Sequence, residues 1–182
     1  MNFDLSEDQR AFQQAARDFA AAEMAPHAAQ WDAECIFPID VIQKAGALGF
    51  CGMYTPEDVD ASIVFEELAY ACPSTAAYIT IHNMATWMVA SWATPCVRAK
   101  WSPLLASGQK LGSYCLTEPN AGSDAASLRT RAELVDGHYR LNGAKAFISG
   151  AGSTDLLVVM ARTGGEGARG ISAFAVPADT VG

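Results

Sequence analysis

The sequence predicts an α+β protein: an all-α helical bundle over residues 1–111, followed by an antiparallel, barrel-like β domain over residues 112–182. Three observations predict it. From Ser6 to Ser107 apolar residues recur at the spacing of helix faces. From Leu111 onward the apolar residues fall into short runs or strict alternation, which is strand spacing. Between those runs stand Asp136-Gly137, Asn142-Gly143 and a Gly-rich segment after Thr163, the residue types of tight turns.

The first helix opens at Ser6, an N-cap with Gln9 three residues on and with Glu7 and Asp8 at the positive end of the helix dipole. Phe12, Ala15, Ala16, Phe19 and Ala20 form its apolar face, and Pro26 ends or bends it. Trp31 to Phe37 reads as a linker whose aromatics cover the bundle. A second helix over 39–48 presents Val41, Ile42, Ala45 and Leu48 and stops at Gly49. Val59 then leads almost directly into Asp60, a short connection that reads either as a deletion or as a loop missing from the sequence as given, the latter being favoured. In the third helix, 60–71, the adjacent Glu66 and Glu67 point in different directions, which suits a solvated or interface face rather than one acid/base site. Cys72-Pro73 breaks it, and Ser74 or Thr75 caps a long apolar helix to Trp92 that is expected to be buried. A last helix over 95–107 ends at Gly108.

In the β part, Leu111 to Thr117 reads as a strand. Leu128 to Val135 alternates, Asp136-Gly137 is a two-residue hairpin signal, and His138 to Leu141 returns. Asn142-Gly143 turns into a further segment, Ala144 to Ser149. Leu156 to Ala161 and Ile171 to Val176 complete an antiparallel meander of barrel or sandwich type.

Composition narrows the function. Half the residues are hydrophobic (51%) and 18% are charged, so the chain can bury a sizeable core. The net charge of −8 argues against nucleic acid and anionic membrane as partners, while leaving room for an anion held by local N–H groups. Five cysteines without a Cys-x-x-Cys argue against a disulfide framework or zinc site. His27, His82 and His138 lack ligand spacing, so no metal is expected. The N-terminal residues lack a basic segment and apolar core, and no apolar run reaches membrane-spanning length; a cytoplasmic protein is expected.

The informative stretch runs from Tyr114 to Gly150. A short apolar strand breaks at Glu118-Pro119, and the small polar loop Asn120-Ala121-Gly122-Ser123-Asp124 follows. Gly122 permits positive φ or close backbone approach, and such a loop can turn several N–H groups toward a phosphate. Tyr-Cys-Leu-Thr-Glu-Pro-Asn-Ala-Gly-Ser-Asp, followed by Leu141-Asn-Gly-Ala-Lys-Ala-Phe-Ile-Ser149, closely resembles the flavin-binding middle domain of acyl-CoA dehydrogenases, nearest the isobutyryl-CoA (short branched-chain) type. The helical stretch before residue 112 resembles that family's N-terminal domain.

The resemblance implies FAD as cofactor, contacted by Tyr114, Cys115, Leu116, Thr117, Gly122 and Ser123 and by Phe147, Ile148 and Ser149, with Ser123 also touching the acyl-CoA substrate. Thr117 and Ser149 supply hydroxyls for the polar edge of the isoalloxazine, Phe147 an aromatic wall, and Gly122 and Ser123 suit the phosphates. Most relatives carry tryptophan and threonine at the positions of Phe147 and Ser149; the isobutyryl type uses the residues found here. Core packing for Phe147 and ordinary strand ends for the two hydroxyls are the duller readings. Tyr78, Ile81, His82 and Met84 are expected either in the bundle core or facing an acyl-chain pocket.

The implied reaction is α,β-dehydrogenation of a short or branched acyl-CoA, by a homotetramer that passes electrons to electron-transfer flavoprotein. No residue here matches the family's glutamate base, and Glu118, at a strand end before Pro119, is not nominated; no catalytic residue is assigned. The β domain is expected to be incomplete and the family's C-terminal helical domain absent from this chain. A truncated, non-catalytic flavin- or acyl-CoA-binding module and an acyl-CoA oxidase-like enzyme are the alternatives.

Overall fold

The computed structural model describes residues 4–54 and 61–181; the loop expected around Val59-Asp60 lies outside them. The chain divides into two compact units, Met1–Leu111 and Gly112–Gly182.

The first unit is helical. Helix α1 (Glu7–Phe19) starts with the capping box: Gln9 N–H donates to Ser6 Oγ at 3.1 Å, and Ser6 N–H donates to Gln9 Oε1 at 2.8 Å. Its buried side is narrower than the sequence pattern predicts. Ala16, Phe19 and Ala20 are in the core, whereas Phe12 and Ala15 are exposed. A wide turn, Ala20–Met24, follows with i→i+5 bonding, and the helix ends before Pro26. Part of the expected linker is helical: α2 spans Ala28–Ala33, and Cys35, at φ 54°, stops it. Six residues are too few for a periodic signal, so tertiary context decided this element.

Helix α3 (Ile39–Ala47) buries Val41, Ile42 and Ala45 but leaves Leu48, just past its end, exposed. Helices α4 (Ala61–Ala71) and α5 (Pro73–Trp92) meet at Cys72, with Pro73 at the first turn of α5, where its missing N–H has no helical partner to lose. The expected hydroxyl cap on α5 is not made; Cys72 holds the N-cap position without a side-chain cap bond. Glu67 on α4 pairs with Arg17 on α1 through two hydrogen bonds, at 2.9 and 2.7 Å, so the second of the two adjacent carboxylates serves helix docking.

Helix α5 buries one broad face, and its polar residues there tie it to neighbours. Asn83 accepts from Met53 N–H at 2.6 Å and donates to Phe50 O and Ile79 O. His82 Nε2 lies 2.9 Å from Leu105 O of α6 (Pro95–Ala106). Every one of these buried polar groups is partnered, as burial demands. Gly46 and Gly108 let two segments touch: a Cβ on Gly46 would lie 2.6 Å from the Cα of Gly108.

The second unit is a mixed, open sheet. Strand β1 is Gly112–Cys115, β2 Arg131–Val135, β3 His138–Asn142, β4 Leu156–Arg162 and β5 Ile171–Pro177. The two hairpin pairings are antiparallel as the turn residues predict, β2 with β3 and β4 with β5. Asp136 (φ 52°) and Gly137 (φ 79°) form the primed turn between β2 and β3. Strand β1 differs from the expected meander. It runs parallel to β4, from Gly112↔Leu156 to Cys115↔Val159, a pairing that needs a long crossover. Residues 116–155, the β2–β3 hairpin included, supply it. Since β5 covers one edge of β4 along its length, β1 and β2 share the other, where Arg162 N–H donates to Thr130 O at 2.7 Å.

Candidate functional site

The two motif segments lie side by side in the β unit, and main-chain bonds put them there. After β1 the chain closes a tight turn in which Glu118 and Ala121 exchange both of their hydrogen bonds, at 3.0 and 3.1 Å. Ala146 N–H donates to Thr117 O at 2.9 Å, joining the second segment to the first. Ser113 Oγ donates to Ser149 O at 2.7 Å and shares a 2.9 Å hydrogen bond with Thr154 Oγ1, which fixes the far end of that segment. Ala144 to Ser149 is therefore a pinned loop rather than a strand.

Beneath this junction sits a polar anchor. Glu118 is buried (7% exposed) and accepts from Lys145 Nζ at 2.8 Å, from Thr130 N–H at 2.9 Å and from Arg129 N–H at 2.6 Å. Lys145 also donates to Leu116 O at 2.9 Å. Burial pushes the Glu118 carboxyl up, but the bonds from Lys145 and the two main-chain N–H groups outweigh it and hold the pKa at about 2. A carboxylate so acidic and so fully engaged is a poor proton acceptor. Within this unit Glu118 ties the two motif segments to the start of β2.

Above the anchor the polar groups are open. Gly122, Ser123 and Ser149 are exposed, and Thr117 is half-buried. Among the described residues the N–H groups of Gly122 and Ser123 meet no acceptor. Gly122 does not have positive φ, and a Cβ there would meet nothing within 4 Å. Neither backbone conformation nor packing within the chain asks for glycine at this position.

Phe147 is stranger still. Its ring is 95% exposed, and its φ of 55° is a left-handed conformation that a bulky residue adopts only when its surroundings impose it. The core reading of Phe147 is thereby excluded. An exposed aromatic ring, hydroxyls and exposed N–H donors are group types that a flat, phosphate-bearing ligand can use.

The remaining positions contribute differently. Tyr114 and Ile148 are half-buried. Cys115 is buried and its thiol is pushed up to about 11, chiefly by burial and in spite of Lys145, so it offers a ligand only its main chain. Leu116 presents its carbonyl to Lys145. In the helical unit, Tyr78 and His82 are buried in the bundle, while Ile81 and Met84 are half-buried. Sequence reasoning missed the Glu118–Lys145 pair, since nothing in a spacing of 27 residues announces an ion pair. Among the described residues no helix is long and apolar enough to cross a membrane, and no group of His, Cys, Asp or Glu could hold a metal ion.

Among the described residues, six α-helices followed by an open, mixed five-stranded sheet define the class as α+β. The chain belongs to the acyl-CoA dehydrogenase family: the N-terminal domain model matches residues 6–109 and the middle domain model residues 113–182. It is 51% identical to mitochondrial isobutyryl-CoA dehydrogenase of Bos taurus, over 98% of this chain and 45% of that one. Butyryl-CoA dehydrogenase from Megasphaera elsdenii has a similar structure, with a TM-score of 0.90 at 31% identity over 99% of this chain and 51% of that one. So does PigA with FAD and proline, with a TM-score of 0.90 at 26% identity over 99% and 50%. The chain thus spans about half the length of the relatives it matches.

Proposed function

We propose that this chain supplies the helical N-terminal domain, about 1–111, and part of the flavin-binding β domain, about 112–182, of an FAD-dependent dehydrogenase acting on a short, branched acyl-CoA. The observation that supports the reading most is the Ala146–Thr117 bond, because it joins the two motif segments within one unit, in which Phe147 is exposed. The 51% identity to an isobutyryl-CoA dehydrogenase supports the acyl group. FAD on the similar fold of PigA supports the cofactor.

Phe147 would cover one face of the isoalloxazine and exclude water from it. Thr117 and Ser149 would orient its polar edge, and Gly122 and Ser123 would receive the diphosphate, with Ser123 also facing the CoA ester. Bound there, FAD supplies the two-electron acceptor for desaturation of the Cα–Cβ bond. Removal of the α-proton needs a base, and no residue of this chain is assigned to it. Electron-transfer flavoprotein as electron acceptor and a homotetrameric assembly rest on the family resemblance. The name of the Bos taurus relative favours a mitochondrial over the cytoplasmic setting expected from the N-terminal residues.

The test is an anaerobic visible spectrum of the full reading frame that contains this chain, purified with FAD, before and after isobutyryl-CoA. Bleaching of the flavin band is expected. Bound flavin that stays oxidised with every member of an acyl-CoA panel would reduce the protein to a binding module. Rapid reoxidation in air with peroxide would make it an oxidase.

A further inference from the structure

Beside the rim, the same loop continues into a second concavity that the flavin reading leaves unused. It measures about 580 Å³, within the range of small-ligand sites, and is lined by Ser127, Arg129, Arg131, Arg162, Glu166 and Gly167 among others. In a protein of net charge −8, three guanidinium groups against one carboxylate are a local reversal of sign.

The arginines have different tasks. Arg162 is engaged in the wall itself: it donates to Ala126 O and Leu128 O on one side, and to Gly165 O and Gly167 O on the other. It thereby ties together the two loops that form the cavity. The second loop is held tightly besides, since a Cβ on Gly170 would lie 1.9 Å from Gly165 O.

Arg129 and Arg131 are free. They flank Thr130, which is buried and fixed by Glu118 and by Arg162 N–H. Leu128, Thr130 and Ala132 point inward while Arg129 and Arg131 point outward, so the pleat sets both guanidinium groups on one face. Among the described residues neither guanidinium has a hydrogen-bond or ion-pair partner.

We propose that Arg129 and Arg131 form a subsite for a phosphomonoester dianion, and that its source is the 3′-phosphate of the acyl-CoA. The assignment rests on the function proposed above. A terminal phosphate presents three oxygens and nearly two charges, which two adjacent guanidinium forks match. A diphosphate bridge, the form FAD carries, offers one charge per phosphorus and is a poorer match. The position agrees, because the loop that begins at Ser123 reaches the cavity wall at Ala126, and Ser127 Oγ donates to Asp124 within it.

The test uses the FAD-loaded full-length protein with wild-type residues, Arg129→Gln, Arg131→Gln and both together. Binding of isobutyryl-CoA, its 3′-dephospho form and adenosine 3′,5′-bisphosphate is measured by calorimetry at low and high salt. The wild type is expected to prefer the 3′-phosphorylated ester by roughly tenfold to a hundredfold, with the preference shrinking in high salt. The double variant should lose that preference and leave flavin content and thermal stability unchanged. Equal binding of both esters by the wild type would overturn the proposal, as would a preference that survives the double substitution. Loss of flavin in the variants would assign the cavity to FAD and overturn it too. Should flavin be absent or never bleached, the proposed function falls, and the adenosine bisphosphate titration still decides this site on its own.

Discussion

Glu118 and Phe147 lie in segments joined through Thr117 and Ala146, yet they represent opposite uses of a residue. Glu118 is buried, ionised and partnered by one ammonium and two main-chain N–H groups. Phe147 is a large apolar ring almost wholly in solvent, on a backbone that disfavours it. The first arrangement stabilises the fold and needs nothing further. The second buries almost no surface within this chain, which is why the proposed function gives it to a ligand. The buried carboxylate is fully engaged within the unit, whereas the exposed ring is not.

The comparison breaks most sharply at the anchor. Replacing Glu118 by Ala leaves the Lys145 ammonium with only the Leu116 carbonyl and takes the acceptor from the N–H groups of Arg129 and Thr130, which costs about 3–5 kcal/mol. Urea denaturation should show the β unit losing most of its stability; a loss under 1 kcal/mol would mean that the pair is not structural.

Acid titration gives a somewhat smaller effect. A carboxyl held at about 2 when folded, against an ordinary value near 4.5, contributes stability that is fully present above about pH 4.5. That stability is lost as pH falls from there toward 2, and the difference amounts to roughly 3 kcal/mol. Urea midpoints between pH 5 and pH 3 should therefore fall in the wild type and fall less steeply in Glu118→Gln. Parallel slopes would refute the assignment.

The smallest effect on stability, and the most telling one for function, is expected at Phe147. Phe147→Gly removes an exposed ring and relieves a left-handed backbone, so stability should hold or rise by up to about 1 kcal/mol. Flavin retention on gel filtration should nevertheless fall. A destabilised variant with full flavin content would reverse the roles assigned to the two residues.

Much of the fold was legible because its signals are local. Ser6 and Gln9 are three residues apart, Pro73 and Gly108 act on their own turns, and Asp136-Gly137 makes its hairpin with neighbours. Each depends on contacts that close within a few residues, and propensity governs those. The site was legible only as two motifs that resemble a family; the spacing of their residues did not say which groups would be inside.

That division was decided by contacts between residues far apart in sequence. The parallel pairing of β1 with β4 joins residues more than forty positions apart, and the Glu118–Lys145 pair spans 27. In the same structure Ala146 bonds to Thr117, and Phe147 lies in the left-handed region with its ring exposed. The sequence by itself determined where helices, hairpins and candidate ligand groups would occur, since those follow from each residue's near neighbours. Tertiary structure alone decided which polar groups were consumed by the scaffold and which were left facing outward, because burial is a property of the assembled unit and not of any segment of it.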